Sequence, residues 1–191
     1  MTRLDRQIAF LVEADRLKSV DRATTLADAS RVENSAEHSW HLALYALVLA
    51  DQAGPEVEID RVIRMLILHD LVEIDAGDAP IFADVDAASL AVQEAAAADR
   101  IFGLLPDDQR DALRALWDEF EAAQTPSAQF AKALDRFQPP MQNLASGGGS
   151  WTEYNVTPDR IEARVAPAIK RGAPALWAYA KARIDAFFAA K

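Results

Sequence analysis

The chain is predicted to be all-α, a compact helical bundle in one domain, on three observations. Alanine is abundant while glycine numbers 7 in 191 residues. Apolar residues recur at three- and four-residue intervals along most of the length. Runs of β-branched residues are rare. With 51% hydrophobic and 26% charged residues the composition is ordinary for a globular protein with a substantial core. The length fits a single domain over 1–191, with room for a small appended hairpin.

The elements follow in order. Residues 3–17 carry Leu4, Ile8, Leu11 and Val12 at helical spacing, and a polar stretch without clear period, 18–34, comes next. Asn34 with Glu37 three residues on is a capping-box pattern, so a helix begins near Ser35 and runs through Trp40, Leu44, Leu47 and Val48 to about Asp51, ahead of Gly54-Pro55. The next helix spans about Ile59 to Glu73, is apolar almost all round, and is predicted to be central. Gly77-Asp78-Ala79-Pro80 breaks the chain, and Asp86 is the expected N-cap of 87–103. Pro106 opens 106–123, with Leu113, Leu116, Trp117 and Phe120 on one face. Pro126 opens a helix through Phe130, Leu134 and Phe137, which Pro139-Pro140 is predicted to kink or interrupt. Residues 146–150 read as a flexible loop, Thr157-Pro158 caps a helix to about Arg171, and Pro174 opens the last, 174–189. The C-terminal helices of 157–190 are expected to pack on the rest, and no strand pattern is evident.

Charge and composition exclude several classes. A formal charge of −10 argues against a nucleic-acid polymer as partner, because phosphate backbones need a basic face. The longest apolar run, Leu42 to Ala50, is too short to span a bilayer, and the N-terminus lacks a signal-peptide core, so no membrane partner and a cytoplasmic location are expected. Zero cysteines remove disulfides and thiolate ligands, so any metal must take N and O donors.

The residues that stand out chemically are His69 and Asp70, set in the apolar run Val62 to Val72. Buried imidazole and carboxylate are costly unless paired, hydrogen-bonded or metal-bound. Only three histidines exist, and His38 also sits beside an acid, Glu37, while His41, one turn on, competes with it. Asp135 interrupts the apolar surroundings of Ala133, Leu134 and Phe137 and is the best distant carboxylate. Two imidazoles and two carboxylates make a mixed N/O set that suits Mn, Fe, Co, Ni or Zn. Spacing alone leaves two readings open: this metal site, or satisfied core residues.

The segments Arg31-Val32-Glu33-Asn34-Ser35-Ala36-Glu37-His38-Ser39-Trp40 and Leu68-His69-Asp70-Leu71-Val72-Glu73-Ile74-Asp75-Ala76-Gly77-Asp78 resemble the HD-domain metal-dependent phosphohydrolases, in particular the 5'-deoxynucleotidase branch. The resemblance continues to Ala133-Leu134-Asp135 and covers most of residues 15–145. It implies a single divalent ion (Mn, Co, Fe, Ni, Zn or Mg) held by His38, His69, Asp70 and Asp135, and a homodimeric helical bundle. The implied activity is hydrolysis of nucleoside 5'-monophosphates, chiefly 2'-deoxynucleotides, to nucleoside and phosphate by metal-activated water. Glu73 and Asp78 match the family's catalytic acids; Asp78 is assigned to the water or leaving group and Glu73 to support. Arg22 matches a phosphate-contacting arginine, and Arg31, next to the first motif, is a second candidate for substrate binding. The chain departs from the family at Ala23-Thr24, where well-known deoxynucleotidases have a tryptophan that helps exclude a 2'-hydroxyl. The alternatives are an HD hydrolase of another phosphate ester or nucleoside polyphosphate, and a non-catalytic nucleotide-sensing module.

Overall fold

The structure is a computed structural model that describes residues 1–190. Helix α1 (Arg3–Ala14) starts at a reciprocal capping box between Thr2 and Asp5 and tightens into a 3-10 turn over Asp15–Ser19. Phe10 is buried, whereas Leu4, Ile8, Leu11 and Val12, whose spacing predicted the helix, remain exposed. The polar stretch that follows holds an element the pattern did not reveal, the antiparallel pair β1 (Asp21–Thr25) and β2 (Val32–Asn34). Asp21 pairs with Asn34 and Thr25 with Val32, so residues 22–24 bulge opposite Glu33. Bulges re-aim side chains, and the Arg22 side chain here is only 11% exposed.

Helix α2 (Ser35–Val48) begins at the Asn34–Glu37 capping box expected from the sequence. Helix α3 (Ile59–Leu68) buries Val62, Met65, Leu66 and Leu68 and packs against α2. Expected to continue to Glu73, it instead tightens into a 3-10 turn over His69–Val72, resumes as α4 (Glu73–Ala76), and ends at Gly77 with φ 75°. That positive φ favours glycine. At the change of pitch the Glu73 N–H donates to Asp70 and Leu71 carbonyls, not to His69. The His69 carbonyl accepts from Trp117 Nε1–H instead, at 3.2 Å.

Helix α5 (Ala87–Phe102), capped by Asp86, pairs with α6 (Asp107–Ala122), which starts after Pro106. Helix α7 (Pro126–Ala145) is the long central rod, in contact with α2, α3, α6 and later helices. Pro139 and Pro140 lie inside it without interrupting it, contrary to expectation. They remove donors to the Asp135 and Arg136 carbonyls, but packing along the rod fixes the helix, and Asn143 Nδ2–H donates to the Pro139 carbonyl at 3.0 Å.

The segment expected to be a flexible loop is a tight turn into α8 (Gly149–Glu153); a Cβ at Gly149 would lie 2.7 Å from Asn143 Oδ1. The helix expected over 158–171 is divided into α9 (Pro158–Arg164) and α10 (Ala166–Gly172). Pro167, in the first turn of α10, cannot extend the α9 ladder. Helix α10 lies so close to α7 that a Cβ at Gly172 would fall 2.0 Å from the Gln129 carbonyl oxygen. Helix α11 (Pro174–Ala189) closes the bundle. Leu42, Met65, Leu66, Phe102, Phe120, Phe130, Leu134 and Ile169 form the buried centre, and the all-α reading is borne out around one small hairpin. Among the described residues no helix is long and apolar enough to cross a membrane.

Candidate metal centre

The first turn of α2, the 3-10 turn after α3 and the middle of α7 meet at one buried point. They bring His38, His69 with Asp70, and Asp135. Asp135 Oδ1 lies 3.1 Å from His38 Nε2 and 3.7 Å from His69 Nε2. One donor atom from each of His38, His69 and Asp135 lies within 4.8 Å of the others, and all three residues are buried. That arrangement is compatible with a divalent metal ion. Asp70 stands beside it, with Oδ1 2.9 Å from His69 Nε2 and Oδ2 accepting from Arg22 Nη1–H at 3.0 Å. Phe120 meets the edge of the His69 ring at 4.8 Å between centroids.

The donor chemistry fits a cation. His69 Nδ1–H donates to the Leu66 carbonyl at 2.8 Å, which leaves Nε2 as the lone-pair nitrogen. That Nε2 is buried, without an aligned hydrogen-bond partner, although two carboxylates face it. A lone pair opposed to carboxylate oxygens is repulsive unless a proton or metal ion lies between. Burial alone would lower the His69 pKa, but Asp70 and Asp135 outweigh it and raise the value to about 10. A divalent ion meets the same demand and displaces that proton.

The second feature is an excess of acid. Arg22 Nη1 lies 3.0 Å from Asp70, 3.4 Å from Asp78 and 3.6 Å from Glu73. One guanidinium cannot neutralise three carboxylates. Burial, reinforced by Asp70, pushes Glu73 up to about 9, so it holds a proton at neutral pH. Ser35 Oγ–H donates to its Oε2 at 2.5 Å. Burial also raises Asp78, against the pull of Arg22. Asp70 and Asp135 go the other way. Burial would raise both, but His69 and Arg22 hold Asp70 down at about 2, and Arg136 with the two imidazoles holds Asp135 well below the carboxylate range.

The structure thus brings together His38, His69, Asp70, Asp135, Arg22, Glu73 and Asp78. Arg31 is not among them. It forks onto Glu37 at 2.6 and 2.8 Å, donates to the Val32 carbonyl, and is largely exposed. His41 faces away from the trio, against Trp40 and Tyr45, and its Nδ1 lies 3.3 Å from Gln138 Nε2. Sequence reasoning passed over Glu33, Gln138 and Gln142. Glu33 Oε2 accepts from Gln138 Nε2–H at 3.2 Å and Gln142 Nε2–H at 3.1 Å. The signal for the glutamines was available: Asp135, Gln138 and Gln142 follow an i, i+3, i+7 spacing, a polar stripe on one helix face. A cleft leads outward from Asp78, lined by Ala23, Thr24, Phe82, Arg136, Trp151 and Tyr154.

Comparison with known proteins agrees with this geometry. The model of the HD domain family matches residues 14–177, and the chain belongs to that family. It is 30% identical over 130 residues to 5'-deoxynucleotidase HDDC2 of Homo sapiens, a match covering 68% of this chain and 62% of the human protein. It therefore spans less than two thirds of that relative. It is 27% identical over 171 residues to 5'-deoxynucleotidase YfbR of Shigella dysenteriae serotype 1 (strain Sd197), covering 84% of each. Among solved structures, a predicted metal-dependent phosphohydrolase from Magnetospirillum magnetotacticum MS-1 superposes with a TM-score of 0.92 at 46% identity, over 98% of this chain and 96% of that one.

Proposed function

We propose that this chain is a metal-dependent phosphomonoesterase that hydrolyses nucleoside 5'-monophosphates, chiefly 2'-deoxynucleotides, with one divalent ion held by His38, His69, Asp70 and Asp135. The observation that carries the reading is the position of Asp78. It lies within reach of Arg22 and the acid cluster, and it also lines the open cleft. A phosphate ester entering that cleft meets Asp78, which Arg22 links to the buried cation-demanding site.

A bound divalent ion would neutralise charge on phosphate oxygens and lower the pKa of water. The protein's own groups supply the rest. Arg22, exchanging a carboxylate for phosphate, offers a planar cation suited to a bidentate grip on the phosphoryl group. Asp78, with its raised pKa, takes a proton from the attacking water or gives one to the departing 5'-oxygen. Glu73 supports by holding Ser35 and Arg22 in place. Phe82 and Trp151, both buried, and Tyr154 give the cleft its apolar wall.

The test is phosphate release from deoxy- and ribonucleoside 5'-monophosphates by EDTA-stripped protein reloaded in turn with Mn, Co, Ni, Zn, Fe and Mg. Release that requires added metal and falls away on other phosphate esters supports the reading; no release with any of these ions overturns it. The reading includes a cytoplasmic homodimer. The groove bearing Leu44, Val48, Leu144 and Tyr179 leaves apolar side chains open, with Val48 68% exposed. That supports self-association, and a monomeric mass by light scattering would overturn the dimer.

A further inference from the structure

The imidazoles of His38 and His69 are oriented by different means. His69 Nδ1–H is fixed by a neutral backbone carbonyl, as described above. His38 Nδ1 lies 3.4 Å from Oε1 of Glu33, a carboxylate only 1% exposed. The same Oε1 lies 3.5 Å from Arg22 Nε, while both glutamines of α7 hold Oε2. His38 Nδ1, Arg22 Nε and Glu33 Oε1 are all buried, and none of the three has an aligned hydrogen-bond partner, so each faces only the others. The bulge in β1 is what aligns Arg22 with Glu33 across the strand pair.

We propose that Glu33 is a positioning residue that sets the metal-ligand imidazole and the phosphate-binding arginine as one unit. It rests on the metal reading above. Facing Glu33, His38 carries its proton on Nδ1 and turns the Nε2 lone pair toward Asp135 and the metal position. Facing the same oxygen, Arg22 turns Nε toward Glu33 and presents its terminal nitrogens to the carboxylates or a phosphate. Carboxylates behind a metal-bound histidine fix its tautomer and raise its basicity, and their loss weakens metal binding about 10–100-fold. The paired glutamines give Glu33 no freedom to turn away.

The test is Glu33→Gln, which keeps shape and removes charge. Mn2+ affinity, measured without substrate, is expected to fall about 10–100-fold, and the visible spectrum of the Co2+ form to shift. Inorganic phosphate is expected to bind more weakly in the Mn2+ form, while the metal-free variant melts no lower than wild type. Mn2+ affinity within about twofold of wild type with an unchanged Co2+ spectrum would show Glu33 to be only a tether for α7 and overturn the proposal. Unchanged phosphate binding would overturn the Arg22 half. If the variant fails to fold, long-range proton–nitrogen NMR of the Zn2+-loaded wild type decides, with the His38 proton expected on Nδ1 and its absence there refuting the idea. An inactive wild type whose metal binding depends on Glu33 defeats the nucleotidase reading alone. An active wild type with Glu33-independent metal binding defeats this inference alone.

Discussion

Arginine–carboxylate pairs occur in two regions of this molecule with opposite consequences. On the outer side of α6, Arg3 forks onto Asp108 at 2.7 and 2.9 Å, Arg110 pairs with Asp107 and Asp111, and Arg114 pairs with Asp118 and Asp99. These acids are all more than half exposed. Inside, Arg22 meets Asp70, Glu73 and Asp78, with every side chain 12% exposed or less. Both sets join arginine to carboxylates. Water screens the outer set, so each pair contributes little. The inner set is desolvated, so any imbalance of charge is costly and shows up as displaced protons or a demand for a cation. An acid surplus in the interior demands a proton or a cation, and that demand marks the candidate site.

The sharpest way to break the contrast is to remove an inner acid that faces the metal position. Asp135→Asn leaves His38 and His69 without their shared anion. Mn2+ binding should be lost at micromolar metal, and phosphate release should fall by roughly a thousandfold or more. Asp78→Asn should cost less, about 10²–10⁴ in turnover, because it removes proton transfer while leaving the metal ligands in place. Its Mn2+ affinity should remain near wild type. Full turnover of Asp78→Asn with metal bound would end its assigned role.

Removal of the inner cation tests the stability side of the comparison. Arg22→Met keeps apolar bulk but strands four buried acids, Asp70, Glu73, Asp78 and Glu33, and breaking a buried ion pair from one side typically costs about 3–5 kcal/mol. Urea unfolding of the metal-free variant measures it. Protonation of Glu73 and Asp78 softens the loss, so the lower end is expected, and the loss should shrink at acid pH.

How much of this was legible in the sequence follows from the same physics. Periodicity, caps and prolines reported the helices, because those signals are local: Asn34 with Glu37, Asp86, and Thr157 before Pro158 all cap as expected. Local rules misjudged Pro139-Pro140, where tertiary packing carries the helix onward, and they missed Pro167. They could not show the 3-10 turn at His69–Val72, where the His69 carbonyl is taken by Trp117 from α6. In the site, His69, Asp70 and Asp135 stood out as polar residues in apolar surroundings, and His38 as one of three histidines, set beside an acid and matched by the family resemblance. Glu33 did not. It lies in a polar stretch where an acid is unremarkable, and only the strand bulge and α7 bury it.

A smaller, signed effect is the pH dependence of the metal-free protein. In the folded state His69 titrates near 10 against an ordinary value of 6.5, and Glu73 near 9 against 4.5. Both bind protons more tightly when folded. Their contribution is complete below the unfolded values and is lost as pH rises through the folded ones. His41, lowered by burial, acts oppositely, but its part is over by pH 6.5. The melting temperature in EDTA should therefore fall between about pH 6.5 and 9. Mn2+ should add more stability at the upper end, since competition from the His69 proton eases as pH rises toward its folded value. Calorimetry at both pH values in EDTA and in Mn2+ checks this; a metal-free melting temperature that rises across the window contradicts the proposed charge state.

The smallest effect belongs to the outer network. Arg3→Ala removes both hydrogen bonds to Asp108, at 2.7 and 2.9 Å, the best-formed fork on that face. Arg3 and Asp108 are 54% and 67% exposed, so each regains water when the other is lost, and the ordering of two long side chains is no longer required. The thermal midpoint should move by no more than about 1 °C, and metal-dependent turnover should not change. Added salt should have as little effect on the wild type, since these contacts are already screened. A shift as large as that of Arg22→Met would mean that exposure does not separate the two regions, and the inner acid surplus would lose its standing as the sign of a site.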